Sequence, residues 1–246
     1  MMIRIVAAGL LLLALLGSAV ATPARIIILR HGEKATSWKL CGIGQDRADA
    51  LGATYLGRGA AKSLFAGGEA PAAILAITPH TLELAAPAAE SWAEPITLYS
   101  VLPDKNADED EHVDALNRRT QEAAHDVMTD PRYAGKTVVM VWEHKHIANA
   151  KLEAGFPGEA VTLRELFKLD QRSDVPKTWS GANYDYFWIV EFGNQGSDAP
   201  TGFTMVKQDF GGAYADVPDN DWGEPNGMTE ASGCKLKSSK KDDRDD

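Results

Sequence analysis

Ile26-Ile27-Ile28-Leu29-Arg30-His31-Gly32-Glu33 is a run of four aliphatic residues that leads into an arginine, a histidine and a glycine. A continuous apolar run of this length predicts a buried strand of a parallel sheet. Ligands of open α/β sheets lie beyond the carboxyl ends of such strands, so Arg30 and His31 are expected where a ligand would bind. Arg30 offers a planar, permanently charged fork that suits phosphate oxygens, and Gly32 lets the backbone turn sharply. His31 is therefore a candidate nucleophile beside an anion clamp.

Strand-like and helix-like segments alternate along the rest of the chain. Apolar runs predict strands at residues 26–29, 73–77, 96–99 and 137–142, with two later strands at 184–192 and 202–210. Apolar residues at helical spacing predict helices over residues 46–57, 82–92 and 113–127. This alternation is typical of an α/β fold, and we expect a three-layer α/β/α sandwich with a mostly parallel central sheet.

The two ends of the chain differ from its middle. Residues 1–21 combine a basic start at Arg4, an apolar run over 5–16 and a small-residue site at Ala19-Val20-Ala21, which predicts a signal peptide. The run is shorter than the ~20 residues that span a bilayer, so we expect export to the periplasm or the exterior with no stable membrane anchor after cleavage. Residues 211–246 are rich in Gly, Asp, Asn and Pro and end in a charged run, which predicts an irregular, mobile tail.

Charge and cysteine content limit the partners and the chemistry. The formal net charge of −10 argues against nucleic acid as a partner. A site that binds phosphate must then be locally positive within an acidic protein. Cys41 and Cys234 are the only cysteines. An exported pair can form a disulfide, but residues so far apart in sequence need not meet, and the sequence leaves this question open.

A second strand repeats the logic of the first. Residues 138–142 are an apolar run that leads into Glu143-His144-Lys145-His146. His144 therefore lies just past a buried strand, where it could face His31. If the strand continued, His146 would point to the opposite face, which makes it the weaker candidate.

These two motifs, in this order, resemble the signatures of the histidine phosphatase superfamily, the phosphoglycerate mutase-like proteins. The resemblance implies a histidine phosphatase-like domain over residues 22–210, in which His31 attacks phosphorus and becomes transiently phosphorylated. Arg30 would bind the phosphoryl group and His144 would support the transition state. It also implies a small phosphate ester as substrate and neither metal nor cofactor. The Gly44-Gln45-Asp46-Arg47-Ala48 segment is similar to the family's Gly-x-x-Arg-Ala segment, where the arginine is structural.

One position departs from the family pattern. Members usually carry a second arginine before a Glu/Gln-Thr pair, and alignment on Glu83 and Pro87 places His80 there. A histidine can still donate to phosphate, but it is fully cationic only below a pKa near 6.5. The alternative is that His80 caps the backbone of the helix that follows. Lys34 or Lys145 could supply the missing charge.

The proton donor for the leaving group is not identified by the sequence. A nearby carboxylic acid usually protonates the leaving alkoxide. Glu83, Glu143 and the Asp108-Glu109-Asp110-Glu111 run are all candidates, although an acidic run also suits the start of a helix. We assign none of them from the sequence.

Two other functions are compatible with these residues. His144 and His146 have the spacing of paired metal ligands, and with His31, His80 and a carboxylate they could form the site of a metal-dependent hydrolase. The positive Arg30 argues against a cation there. A protein that keeps the fold but only binds a phosphate ligand is the other alternative, since a fold does not guarantee activity.

Overall fold

A computed structural model describes residues 22–104, 106, 108–193, 198–228 and 232–235. The six strands are β1 (Arg25–Arg30), β2 (Ala73–Ala76), β3 (Ile96–Leu98), β4 (Thr137–Trp142), β5 (Tyr186–Phe192) and β6 (Pro200–Lys207). The α-helices are α1 (Gly42–Leu51), α2 (Pro79–Trp92), α3 (Glu109–Thr129), α4 (His144–Ile147), α5 (Ala150–Gly155) and α6 (Leu163–Leu166). Strands and helices therefore alternate through β4, as the sequence predicts.

The strands form one mixed sheet in the order β3-β2-β4-β1-β5-β6. β1, β2, β3 and β4 run parallel, while β5 is antiparallel to both of its neighbours. β4 lies between β1 and β2. The chain therefore leaves one strand position open between β1 and β2, and β4 later occupies that position. The carboxyl ends of these three strands consequently meet at one edge of the sheet.

Both faces of the sheet are covered. In β1, Ile26 and Ile28 pack on one face in a cluster with residues of α3 and α6, while Ile27 and Leu29 pack on the other with residues of α1 and α2. All four side chains are buried. A strand that is buried on both faces is apolar at every position, which explains the continuous run in the sequence. The predicted three-layer α/β/α sandwich is confirmed.

The first helices begin earlier than the apolar spacing predicts. α2 starts at Pro79, three residues before the predicted start, because proline is favoured in a first turn and the Thr81 hydroxyl accepts a hydrogen bond from the Thr78 N–H at 2.8 Å. α1 starts at Gly42 and continues as a π-helical turn over Gly52–Leu56. His80 consequently lies in the first turn of α2.

Arg47 has the structural role that the resemblance implies. Its side chain is 1% exposed and donates to both carboxylate oxygens of Glu33, to the Gln208 side chain and to the Pro218 carbonyl. A buried ion pair is stable only when such further hydrogen bonds complete it. Arg47 thereby joins α1, the loop after β1 and the segment after β6.

The described part of the C-terminal segment is irregular but packs on the domain. Trp222 contacts the rings of Trp179, Tyr186 and Trp188. Cys41 and Cys234 form a disulfide, so the question that the sequence left open is answered. The described residues of this segment thus pack on the domain, and the mobility of residues 211–246 stays a prediction.

Two predictions concern residues outside the described ranges. The signal peptide at residues 1–21 and the charged end at 236–246 both remain predictions. Among the described helices, none combines the length and the apolar composition that crossing a bilayer would need.

The packing of α1 on the loop after β1 predicts an asymmetry between two glycines of the same helix. A Cβ at Gly44 would lie 2.2 Å from the Glu33 carbonyl oxygen, whereas one at Gly42 would meet nothing within 4 Å. We expect Gly44→Ala to lower the free energy of unfolding by about 2 kcal/mol or more, because backbone must move. Gly42→Ala is the control and should be neutral or slightly stabilising. Equal urea midpoints for the two variants would contradict this packing.

Candidate active site

The pairing of β1 with β4 brings the two predicted histidines together. Arg30 lies opposite Trp142 in the parallel register, and the His31 N–H donates to the Trp142 carbonyl at 2.9 Å. The residues that follow the two strands are therefore neighbours. His31 Nε2 lies 3.3 Å from His144 Nδ1, as expected for a shared site.

His31 is held as a neutral imidazole. Its Nδ1 lies 2.7 Å from the Gly32 carbonyl oxygen, which can only accept, so Nδ1 carries the proton and Nε2 carries a lone pair. The side chain is 1% exposed, and burial together with the nearby charges of Lys34 and Arg30 holds the pKa of His31 well below its usual value. A neutral imidazole with a lone pair on Nε2 is the form that can attack phosphorus.

Arg30 is a buried cation with one end directed at His31. Its Nη2 lies 3.1 Å from His31 Nε2, and its Nη1 donates to the carbonyls of Ser180, Gly181 and Asn183. Burial lowers the pKa of Arg30, but a guanidinium remains charged in proteins. The Arg30 Nε is buried and has no hydrogen bond among the described residues. Arg30 is thus fixed beside His31.

His80 lies beside His31, and its ring contacts a carboxylate. The His80 and His31 ring centroids are 5.1 Å apart. Its Nδ1 donates to the Ser37 carbonyl at 3.1 Å, and its Nε2 makes a short contact with Glu143 Oε1. The side chain does not cap the helix backbone. Both ring nitrogens therefore face oxygen atoms, which hold the His80 ring in place between residues 37 and 143.

Glu143 is the candidate acid that the structure places in the site. Its Oε2 lies 3.5 Å from His31 Nε2 and 4.0 Å from Lys34 Nζ, and the Thr78 hydroxyl donates to its Oε1 at 3.0 Å. Burial by itself would raise the pKa of Glu143, but the charge of Lys34 and the hydrogen bond with His80 outweigh it and hold that pKa well below its usual value. The resting carboxyl is therefore ionised.

The other candidate acids have structural positions. Glu83 Oε2 accepts a hydrogen bond from the Leu40 N–H at 2.7 Å. Asp108 caps α3 by accepting from the Glu111 N–H at 2.8 Å, and the acidic run is exposed at the start of that helix. Neither contact involves His31.

His146 does not join His144 in a ligand pair. Residues 144–147 form the helical turn α4 rather than a continuation of β4, and His146 is buried with its Nε2 3.0 Å from Asn117 Oδ1. His144 and His146 therefore do not form the pair of metal ligands that the metal-dependent alternative requires. The group whose ligand atoms lie within 4.8 Å of one another is His31, His80 and Glu143.

Sequence reasoning missed Tyr184 and the carbonyls that hold Arg30. The Tyr184 ring lies under the Arg30 guanidinium, 3.9 Å from Cζ to the ring centroid. Tyr184 precedes β5, which pairs antiparallel with β1, so the start of β5 lies where β1 ends. Tyr184 could have been assigned to the site only if the antiparallel pairing of β5 with β1 had been known. The sequence does not reveal that pairing.

A cavity of about 230 Å³ opens from this cluster. Its lining comprises Lys34, Ser37, Thr78, His80, Val101, Pro103, Asp104, His112 and Glu143. One wall belongs to residues 34–41, which are fixed at both ends: the Lys34 carbonyl accepts from the Lys235 N–H at 2.6 Å, and Cys41 carries the disulfide. The C-terminal segment therefore supports the wall of the cavity.

Comparisons with known proteins give a distant structural likeness. No protein-family model matches the chain, and no curated protein matches it by sequence. A mycobacterial glucosyl-3-phosphoglycerate phosphatase is similar with a TM-score of 0.40 and 15% identity, over 77% of this chain and 100% of that one. Two structures described as mycobacterial hydrolases 1 and 2 give TM-scores of 0.42 and 0.37 at 16% and 13% identity, over 76% of this chain in each case and 99% and 90% of theirs. What the site can do must be inferred from its own geometry.

The burial of His146 predicts a pH dependence of stability. Burial lowers its pKa to about 4, whereas an unfolded histidine titrates near 6.5. Its contribution to stability is therefore complete above about pH 6.5 and is lost as the pH falls from there to about 4. We expect His146→Gln to reduce proton uptake on unfolding near pH 5 by about one proton, measured from urea unfolding across this range. The exposed His125→Gln variant is the control, and an unchanged pH slope in His146→Gln would contradict the assignment.

Proposed function

We propose that the protein is a phosphohydrolase of the histidine phosphatase type, a phosphomonoesterase that acts through a phosphohistidine on His31. One observation carries this proposal. The lone pair of a neutral, buried His31 Nε2 lies within 3.1 Å of Arg30 Nη2 and 3.3 Å of His144 Nδ1. A nucleophile between two nitrogen groups that can donate to phosphoryl oxygens is suited to phosphoryl transfer, where positioning and charge stabilisation dominate.

The reaction takes place in two displacements. In the first, the His31 Nε2 lone pair forms a bond to phosphorus while the bond from phosphorus to the ester oxygen breaks. Arg30 and His144 stabilise the negative charge on the equatorial oxygens. In the second, water attacks the phosphohistidine and releases inorganic phosphate, which restores the neutral imidazole. No metal or cofactor is required for either step.

Glu143 is the group best placed to protonate the leaving oxygen. Its Oε1 contacts His80 Nε2, and its Oε2 lies 3.5 Å from the His31 nitrogen that attacks. A bound phosphoryl dianion adds negative charge beside Glu143, which raises the pKa of that carboxyl and favours its uptake of a proton. Glu143 can then donate it as the alkoxide leaves.

His80 and Lys34 supply positive charge in the absence of a second arginine. Lys34 Nζ lies 4.0 Å from Glu143 Oε2, and both residues line the cavity. Lys145, the other candidate, is exposed and is not among the cavity-lining residues. The proposed partner is a small phosphate ester, and the acidic character of the whole protein argues against nucleic acid.

The nucleophile is tested by removing it. We expect His31→Ala to lower kcat for an aryl phosphate by about 10⁴-fold or more, because loss of a nucleophile leaves only binding and charge stabilisation. The exposed His125→Ala variant is the control and should retain wild-type kcat. Activity that survives His31→Ala would contradict the mechanism. A wild-type protein that binds phosphate but turns over no ester would favour the non-catalytic alternative.

The acid is tested by the nature of the leaving group. Glu143→Gln keeps the shape of the side chain but cannot give up a proton. We expect kcat for an alkyl phosphate to fall by about 10²–10⁴-fold, and kcat for p-nitrophenyl phosphate to fall much less, because a good leaving group needs no proton. Glu109→Gln, in the exposed acidic run, is the control. Equal losses on both esters would exclude Glu143 as the acid.

A metal-dependent hydrolase remains the second candidate, now with the ligand atoms of His31, His80 and Glu143. The Arg30 guanidinium, 3.1 Å from His31 Nε2, opposes a cation at this position. A chelator distinguishes the two mechanisms. Activity that survives exhaustive treatment with EDTA supports the phosphohistidine route, and a loss that Zn²⁺ restores supports the metal route.

We further propose that the protein is exported, to the periplasm or the exterior, after removal of residues 1–21. The signal-peptide pattern supports this. The Cys41–Cys234 disulfide also supports it, because disulfides persist mainly in oxidising compartments.

A further inference from the structure

Two exposed apolar side chains belong to the chain segments that line the candidate active site. Among the described residues, the large hydrophobic side chains that are exposed are those of Trp38, at 47%, and Leu102, at 55%. Trp38 follows Ser37 in the chain, and Leu102 stands between Val101 and Pro103. Ser37, Val101 and Pro103 all line the cavity that contains His80 and Glu143. Both apolar side chains thus belong to the two segments that form its walls.

The positions of Trp38 and Leu102 suit the binding of a ligand. A single exposed apolar residue needs no explanation, but two of them in the segments that line one cavity are a candidate binding surface. Trp38 belongs to segment 34–41, which the disulfide at Cys41 and the hydrogen bond from Lys235 hold in place. A segment that is held in this way loses little conformational freedom when one of its side chains contacts a ligand.

The charges around the opening restrict what this ligand can be. Of the charged residues that line the cavity, Lys34 lies at the phosphoryl end, with its Nζ 4.0 Å from Glu143 Oε2. Asp104 also lines the cavity and precedes the exposed acidic residues Glu109, Asp110 and Glu111 in the chain. These acids disfavour a second negative charge on the part of the ligand that projects outward from the phosphoryl group. An uncharged, apolar group there meets Val101 and Pro103 without such a cost.

We propose that Trp38 and Leu102 bind the alcohol part of the substrate, and that the substrate is a phosphomonoester of an aromatic or other apolar alcohol with no second anionic group. This inference rests on the proposed function, because it takes the phosphoryl group to lie at His31. The phosphoryl end is recognised by Arg30 and His144. The apolar end is recognised at the opening and determines specificity.

Equilibrium binding tests the inference without turnover. Benzylphosphonate and methylphosphonate both carry the anionic head but cannot be hydrolysed, so the wild-type protein can be titrated with each by calorimetry. We expect benzylphosphonate to bind about tenfold more tightly, and this preference to disappear in the Trp38→Ser/Leu102→Ser double variant. Lys39→Ala changes an exposed neighbour of Trp38 and should keep the preference. Equal affinities for the two phosphonates in the wild-type protein would overturn the inference.

Kinetics separates failure of this inference from failure of the proposed function. We expect the ratio of kcat/KM for 1-naphthyl phosphate to kcat/KM for methyl phosphate to fall about tenfold in the double variant, mainly through KM. Hydrolysis of both esters with a ratio that the double variant does not alter overturns the apolar-alcohol assignment and leaves the phosphatase proposal in place. Absence of both hydrolysis and phosphonate binding overturns the two together.

Discussion

The in-register parallel pairing of β1 with β4 is the constraint on which the site depends. Arg30 lies opposite Trp142, and the His31 N–H donates a hydrogen bond to the Trp142 carbonyl. This bond extends the pairing one residue beyond the end of β1. Residues more than a hundred positions apart in sequence are thereby placed side by side. Because β2 pairs with β4 on the other side, the first turn of α2 brings His80 to the same edge.

Charge at this edge is balanced inside the protein rather than by solvent. Burial, together with the charges of Lys34 and Arg30, lowers the pKa of His31 and keeps its ring neutral. The charge of Arg30 is in turn held by three backbone carbonyls and the Tyr184 ring. Glu143 is paired with His80 and is approached by Lys34. The net charge that a bound anion would meet at this edge therefore depends on the protonation of Glu143. A bound anion and the protonation of Glu143 are therefore linked.

The sequence was informative where local pattern and chemistry coincide. The apolar runs gave β1 and β4, and the residues directly after them gave Arg30, His31 and His144. Such runs can be recognised in a sequence because a strand buried on both faces must be apolar throughout. Helix boundaries that depend on local hydrogen bonds were harder to predict, as the early start of α2 at Pro79 shows. His146 was separated from the site by the helical turn α4, and not by the strand alternation that the sequence suggested.

What the sequence could not give are contacts that arise only in the folded chain. The carbonyls of residues 180, 181 and 183 carry no side-chain signal, and Tyr184 reaches the site only through an antiparallel pairing. The Cys41–Cys234 bond likewise depends on the path of a segment without regular secondary structure. Among three groups of candidate acids, only tertiary contact distinguishes Glu143.

The central claim is that phosphorus is transferred to one nitrogen of His31. The phosphorylated residue can be identified directly. Turnover of an aryl phosphate is quenched rapidly without acid, and the peptides are mapped under alkaline conditions, because phosphohistidine survives alkali and is lost in acid. We expect a phosphorylated peptide whose modified residue is His31, formed at the rate of turnover and absent from His31→Ala. Steady turnover with no phosphorylated histidine, or phosphate on a different residue, would contradict it.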